Sequence, residues 1–210
     1  KISNKKCLME GIEKVELKDI KIVEQLGYRI KLLAISELIN GNLFERVHPS
    51  LVKKDSYIGN VKGVMNAVIT NGEPVGESIL QGEGAGPGPT SSALMSDFFS
   101  ILRGNIKYSF GIPEKNRKKV SVYNYDNYIN SLYIRFEVRD RPGVLSQITK
   151  TLAINNISVE RIIQIPDVKN KTASIVIITH KSKEINAQKC IKVLSKNKNI
   201  VKIPTLIRLL

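Results

Sequence analysis

Apolar residues recur at two spacings along this chain. Ile20, Val23 and Leu26 share one helical stripe and Gly27 follows, so the pattern predicts a short helix over 17–26. Arg29 to Glu37 reads as a strand whose Leu32-Leu33-Ala34-Ile35 centre is apolar enough for burial on both faces. Asn40-Gly41 signals a tight turn, Leu43 to His48 returns antiparallel, and Pro49 ends the pairing. Val61 to Thr70 and Pro74 to Gln81 predict a second hairpin about Asn71-Gly72. The run Gly82 to Pro89, rich in Gly and Pro, reads as loop. Thr90 then caps a helix over 91–103 with Leu94, Phe98, Ile101 and Leu102 on one face.

Residues 105–130 lack apolar periodicity and read as a linker, which Tyr123, Tyr125 and Tyr128 could pack against a domain. Periodicity resumes at Ser131. Strands are predicted over 131–139, 157–165, 173–179 and 200–206, and helices over 143–154 and 184–195. Val144, Leu145, Ile148 and Leu152 face inward from the first helix. Ala187, Cys190, Ile191 and Leu194 do so from the second. The order strand-helix-strand-strand-helix-strand is the split ferredoxin-like arrangement, both helices on one face of an antiparallel sheet. The predicted fold class is thus α+β. A mixed α/β portion, residues 1–104, precedes the linker 105–130 and a βαββαβ domain at 131–210.

Composition narrows the function. A chain of 210 residues with 42% hydrophobic content holds two small cores. No apolar run spans a membrane and no signal peptide opens the chain, so a cytoplasmic protein without membrane contact is expected. Cys7, Cys190, His48 and His180 are too scattered for a disulfide framework or metal site. The net charge of +14 invites a nucleic-acid partner. Its lysines, however, are spread along the chain and not interleaved with aromatics, so none is expected.

Asp140-Arg141-Pro142-Gly143-Val144-Leu145 lies between a predicted strand and a predicted helix. Pro142 suits the opening of a helix, and Gly143 leaves room for a ligand beside the free first-turn amides, which favour a carboxylate. With Asn155-Asn156-Ile157-Ser158, this stretch resembles an ACT domain, a module that commonly binds amino acids. The resemblance implies that Asp140 and Ser158 hold the effector, beside the backbone of Gly143, Val144 and Leu145.

Leu26 to Ile35, Arg46-Val47-His48-Pro49, Asn60 to Ala67, and Gly82 to Gly88 followed by Thr90-Ser91-Ser92-Ala93 and Asp97 resemble the second half of a homoserine dehydrogenase catalytic domain. A C-terminal ACT domain is typical of the bacterial long form. The resemblance implies oxidation of L-homoserine to L-aspartate 4-semialdehyde with NAD or NADP, in threonine, methionine and isoleucine biosynthesis. It places Gly86, with Gly84 and Ala85, against the nicotinamide cofactor. Consecutive glycines allow such close backbone approach. It also implies a homo-oligomer, dimer or tetramer, with L-threonine as effector.

The family's dinucleotide-binding half has no counterpart here, since no G-x-G-x-x-G follows an opening strand. Lys1, Lys5 and Lys6 do not sit in the family's lysine motif. The expectation is therefore a fragment of a larger enzyme, carrying no catalytic residue and inactive alone. A standalone amino-acid sensor is the alternative.

Overall fold

A computed structural model describes residues 7–105, 108 and 111–210. They form two compact units: the residues up to Lys54 together with Val120–Leu210, and Asp55–Lys119. This spatial division cuts across the sequential one, because the first hairpin folds with the C-terminal domain and the second hairpin does not.

In the larger unit, β1 (Leu8–Met9) leads to α1 (Leu17–Gln25) and the long hairpin β2 (Tyr28–Ile39) and β3 (Asn42–Lys53). Beyond the second unit, β6 (Ile129–Asn130) precedes β7 (Leu132–Arg139), α4 (Val144–Ile154), β8 (Val159–Asp167), β9 (Thr172–Thr179), β10 (Ser182–Lys183), α5 (Glu184–Leu194) and β11 (Thr205–Leu209). The strand order β11-β7-β9-β8 is antiparallel throughout, as the split arrangement requires. The closing strand begins at Thr205, later than predicted; ahead of it Ile200 makes an isolated bridge to Val138, and Thr205 and Leu206 pair with Arg135 and Ile134.

That sheet does not end at β11. β3 adds to it in parallel, with Arg208 opposite Ser50 and Leu209 opposite Leu51, and β2 continues beyond β3. Both faces are covered. On one, Leu132, Ile134, Phe136, Ile175 and Ile177 pack against Ile148, Leu152, Ala187, Cys190 and Leu194 of α4 and α5. On the other, Tyr133, Val176, Ile178 and Ile207 pack against Ile22 and Val23 of α1.

Two sequence expectations fail in β2 and β3. Leu32 is 54% exposed, because α1 covers only the start of β2 and the strand lies at the sheet's outer edge. Pro49 lies inside β3, opposite Leu32, and does not end it. The Val47 and Leu51 carbonyls accept from Glu10 and Leu210 on the side away from β2. Pro49 therefore turns its nitrogen to that side as well, between the stretches paired by β1 and β11, where no ladder amide is needed.

The smaller unit holds α2 (Tyr57–Asn60), the hairpin β4 (Met65–Gly72) and β5 (Gly76–Glu83), and α3 (Pro87–Leu102). Its turn is 73–75, because Asn71 and Gly72 remain paired with Glu77 and Gly76. Gly82 and Glu83 belong to β5, which shortens the expected loop to 84–86. Helix α3 starts at Pro87, a turn before the predicted Thr90 cap, since proline is tolerated in a first turn that needs no donor.

Candidate functional site

The strand-to-helix turn of the C-terminal domain borders a cavity of about 410 Å³, lined by Asp140, Gly143, Val144 and Leu145 together with Arg139, Arg141 and Gln164. Gly143 stands at φ +86°, a left-handed conformation that glycine adopts without strain. It precedes α4 with no side-chain cap; the Val144 amide reaches the Arg141 carbonyl at 3.4 Å and the Gln147 amide the Gly143 carbonyl at 3.1 Å. The Leu145 and Ser146 amides thus have no intrahelical acceptor. Asp140 is exposed beside them, its own amide held by the Lys171 carbonyl at 3.1 Å. An exposed carboxylate and free helix-start amides at one cavity offer complementary partners for an ammonium and a carboxylate. The Val144 side chain is buried in the core, so this residue can contribute only backbone. Ser158 does not line the cavity; it is exposed where the chain enters β8.

In the smaller unit Gly84-Ala85-Gly86 joins β5 to α3. The Gly84 amide donates to the Val64 carbonyl at 3.1 Å, and a Cβ on Gly84 would lie 1.4 Å from Asn66 Nδ2. Gly86, at φ +123°, faces open space apart from the Pro89 ring. Pro87 and Pro89 remove two of the donors at the start of α3, leaving Gly88 as the amide between them. This loop therefore suits close contact with a flat group along its backbone better than it suits a phosphate cradle.

The sequence reading missed two buried charge clusters. Asp19 accepts from Arg135 Nε at 2.6 Å and Nη2 at 3.0 Å, and from the Tyr133 hydroxyl at 2.6 Å. Glu137 accepts from Lys18 at 2.6 Å, Arg135 at 2.7 Å and Ser174 at 2.8 Å. Burial pushes the Glu137 carboxyl up, but these bonds outweigh it and hold it below its ordinary value. On the opposite face Arg208 bonds Glu184 through Nε at 3.1 Å and Nη2 at 2.8 Å, Glu10 through Nη1 at 2.7 Å, and the Tyr125 hydroxyl. Burial raises the Glu184 carboxyl and Arg208 lowers it further, the net direction being down.

Residues 120–128 close over this second cluster. Phe44 meets the rings of Tyr123, Tyr125 and Tyr128 at 5.4, 6.0 and 4.9 Å, and the Arg46 guanidinium lies 4.4 Å from the Phe44 centroid. His48 is buried beside them, its Nδ1 3.0 Å from both Ser50 Oγ and the Pro49 carbonyl. Burial first, with Arg208 and Arg46, depresses its pKa. Arginines at the centres of otherwise apolar strands were the available sequence signal.

Residues 1–99 match the homoserine dehydrogenase family model, and residues 132–199 match the ACT domain model. Homoserine dehydrogenase of Neisseria gonorrhoeae is 36% identical over 210 residues, covering 97% of this chain and 48% of that protein. The Helicobacter pylori enzyme is 36% identical over 204 residues, covering 96% and 48%. The chain joins a homoserine dehydrogenase family segment to an ACT domain. A solved homoserine dehydrogenase from Thiobacillus denitrificans superposes with a TM-score of 0.82 at 30% identity, over 98% of this chain and 48% of that one. The Staphylococcus aureus enzyme shares the fold, at a TM-score of 0.57 and 23% identity over 96% and 46%. The chain spans about half the length of the curated homoserine dehydrogenases it matches. Among the described residues no helix is long and apolar enough to cross a membrane.

Proposed function

We propose that this chain is the C-terminal part of an NAD- or NADP-dependent homoserine dehydrogenase. Residues 1–104 would carry part of the catalytic and dimerisation domain, 105–130 the linker, and 131–210 a feedback domain that binds L-threonine. The half-length match to homoserine dehydrogenases supports the parent activity, interconversion of L-homoserine and L-aspartate 4-semialdehyde in the cytoplasm. When bound, the nicotinamide accepts or gives a hydride. This chain's contribution to that step is a backbone edge at Gly84-Ala85-Gly86, where open space at Gly86 fits a flat ring. No catalytic residue is assigned to it.

The observation that carries the regulatory reading is the 410 Å³ cavity, which gathers Asp140 and the α4 amides in a domain matching ACT. Asp140 would take the effector's ammonium and the Leu145 amide its carboxylate. Ser158 would add a hydroxyl from a second ACT domain in a homo-oligomer. Calorimetric titration of threonine into the purified chain tests this. Heat that saturates supports a sensor, whereas no heat at millimolar threonine leaves a domain that only pairs subunits. Homoserine-dependent reduction of NAD or NADP by this chain alone, above a blank, would contradict the assignment of catalysis to residues outside it.

A further inference from the structure

A second cavity lies well along the same sheet. Residues 10–19 pass over the start of β11 and are fastened on both faces. Glu10 bonds Arg208 on one face and Asp19 bonds Arg135 on the other. Between them the Thr205 hydroxyl donates to the Lys14 carbonyl at 3.2 Å. Under this arch, against α5 and β11, is a cavity of about 470 Å³, within the range of small-molecule sites.

Its walls specify chemistry. Arg208 and Glu184 are 2% and 0% exposed, but they satisfy each other with Glu10 and Tyr125, so they form a rigid polar wall and not a free handle. The mouth carries both signs. Lys14 and Lys192 are exposed there, and the Glu13 carboxylate folds back onto Gly11. A Cβ on Gly11 would lie 2.4 Å from both Glu13 oxygens, so the glycine is what admits that carboxylate. Val15, Ile191 and Leu206 are half-buried in the apolar wall, and among the described residues no aromatic ring lines the cavity. Without a ring there is no stacking platform for a base or aromatic side chain. Charges of both signs at the mouth and an aliphatic wall complement a zwitterion with a branched apolar side chain.

We propose that this cavity is a second amino-acid site, separate from the one at Asp140, that takes an aliphatic amino acid. Its ammonium meets Glu13, its carboxylate meets Lys14 and Lys192, and its side chain lies on Val15, Ile191 and Leu206. Because the walls come from both the arch and the ACT domain, an occupant stabilises their contact, and it does so without reference to threonine.

Isoleucine and threonine are titrated separately into the 15N-labelled chain. Isoleucine is expected to shift the Gly11, Lys14 and Gln188 amides in a saturable way and to leave those of Asp140 to Leu145 in place. Gln188→Trp, which fills the cavity from an exposed position on α5, should abolish the isoleucine shifts. Glu13→Gln, far from the core, should weaken them about 10-fold or more, the loss of one charge-assisted bond. Asp140→Ala should leave them unchanged while affecting threonine. Isoleucine shifts confined to 140–145, or absent at millimolar concentration, overturn the proposal. So does isoleucine binding that Glu13→Gln leaves unaltered, whether or not Gln188→Trp folds.

Discussion

Asp19 and Arg135 meet as a two-point ion pair, at 2.6 and 3.0 Å, across 116 residues of sequence and with almost no solvent exposure. Asp19 rides on α1 and Arg135 at the centre of β7, so the pair fastens the homoserine dehydrogenase segment to the ACT sheet. Removing one partner strands a buried charge. Asp19→Ala is expected to lower stability by roughly 3–5 kcal/mol, measured by urea unfolding of the chain. A loss within about 0.5 kcal/mol, the range of ordinary surface changes, would show that the pair carries no such role.

Stability should depend on pH in two stages. His48 has its pKa depressed below 6.5, so between 6.5 and that lower value the unfolded chain binds a proton that the folded chain does not. Stability therefore falls as pH drops below 6.5, and His48→Gln should flatten this part of the profile. Glu184 and Glu137 are held below 4.5, so their contribution is present above 4.5 and is lost as pH falls through their lower folded values. Thermal melts from pH 8 to 3 check both stages. A His48→Gln profile that tracks the unsubstituted one between pH 6.5 and 5 would rule out the first.

The loop at 84–86 has two glycines constrained for different reasons. Gly86→Ala forces a side chain onto φ +123° and should cost about 1–3 kcal/mol. Gly84→Ala drives a methyl into Asn66, so Asn66→Ala in the same chain should restore most of the loss. The same second substitution should do nothing for Gly86→Ala. A double-mutant cycle read by thermal unfolding separates the two causes.

At the proposed effector cavity, Asp140→Ala should weaken threonine binding by about 10- to 100-fold, the cost of one charge-assisted hydrogen bond. Val144→Ala should instead lower stability by about 2 kcal/mol, since Val144 is 3% exposed and packed in the core. Calorimetry and melting of both variants should give opposite patterns. Equal threonine binding by Asp140→Ala would place the site elsewhere.

Leu94, Phe98, Ile101 and Leu102 of α3 are all more than half exposed in this chain, as are Leu32 and Leu38 of β2. Exposed apolar faces of this kind, each within its own unit, mark interfaces. A homodimer is expected in sedimentation equilibrium at micromolar concentration; a monomer there counts against pairing through these faces.

What the sequence determined by itself was local. Helices α1, α4 and α5 follow from the spacing of Ile20 and Val23, of Val144, Ile148 and Leu152, and of Ala187, Cys190 and Leu194. The strand-helix-strand-strand-helix-strand order followed from the same periodicities, because side-chain direction repeats every 3.6 or 2 residues whatever the chain packs against. The Asp140–Leu145 turn was legible for that reason, as its Pro and Gly act on their own backbone.

Tertiary structure alone decided the rest. Pro49 could remain in β3 because its nitrogen falls between two separate partners, β1 and β11, that lie far from it in sequence. Arg208 became a buried residue because Glu10 and Glu184, 198 and 24 residues away, supply the carboxylates that make its burial tolerable. Ser158 lies just ahead of β8 and does not line the cavity that Gln164, unmarked by any motif, helps to line. Register, burial of charge and the walls of a cavity depend on partners distant along the chain, and local spacing carries no information about them.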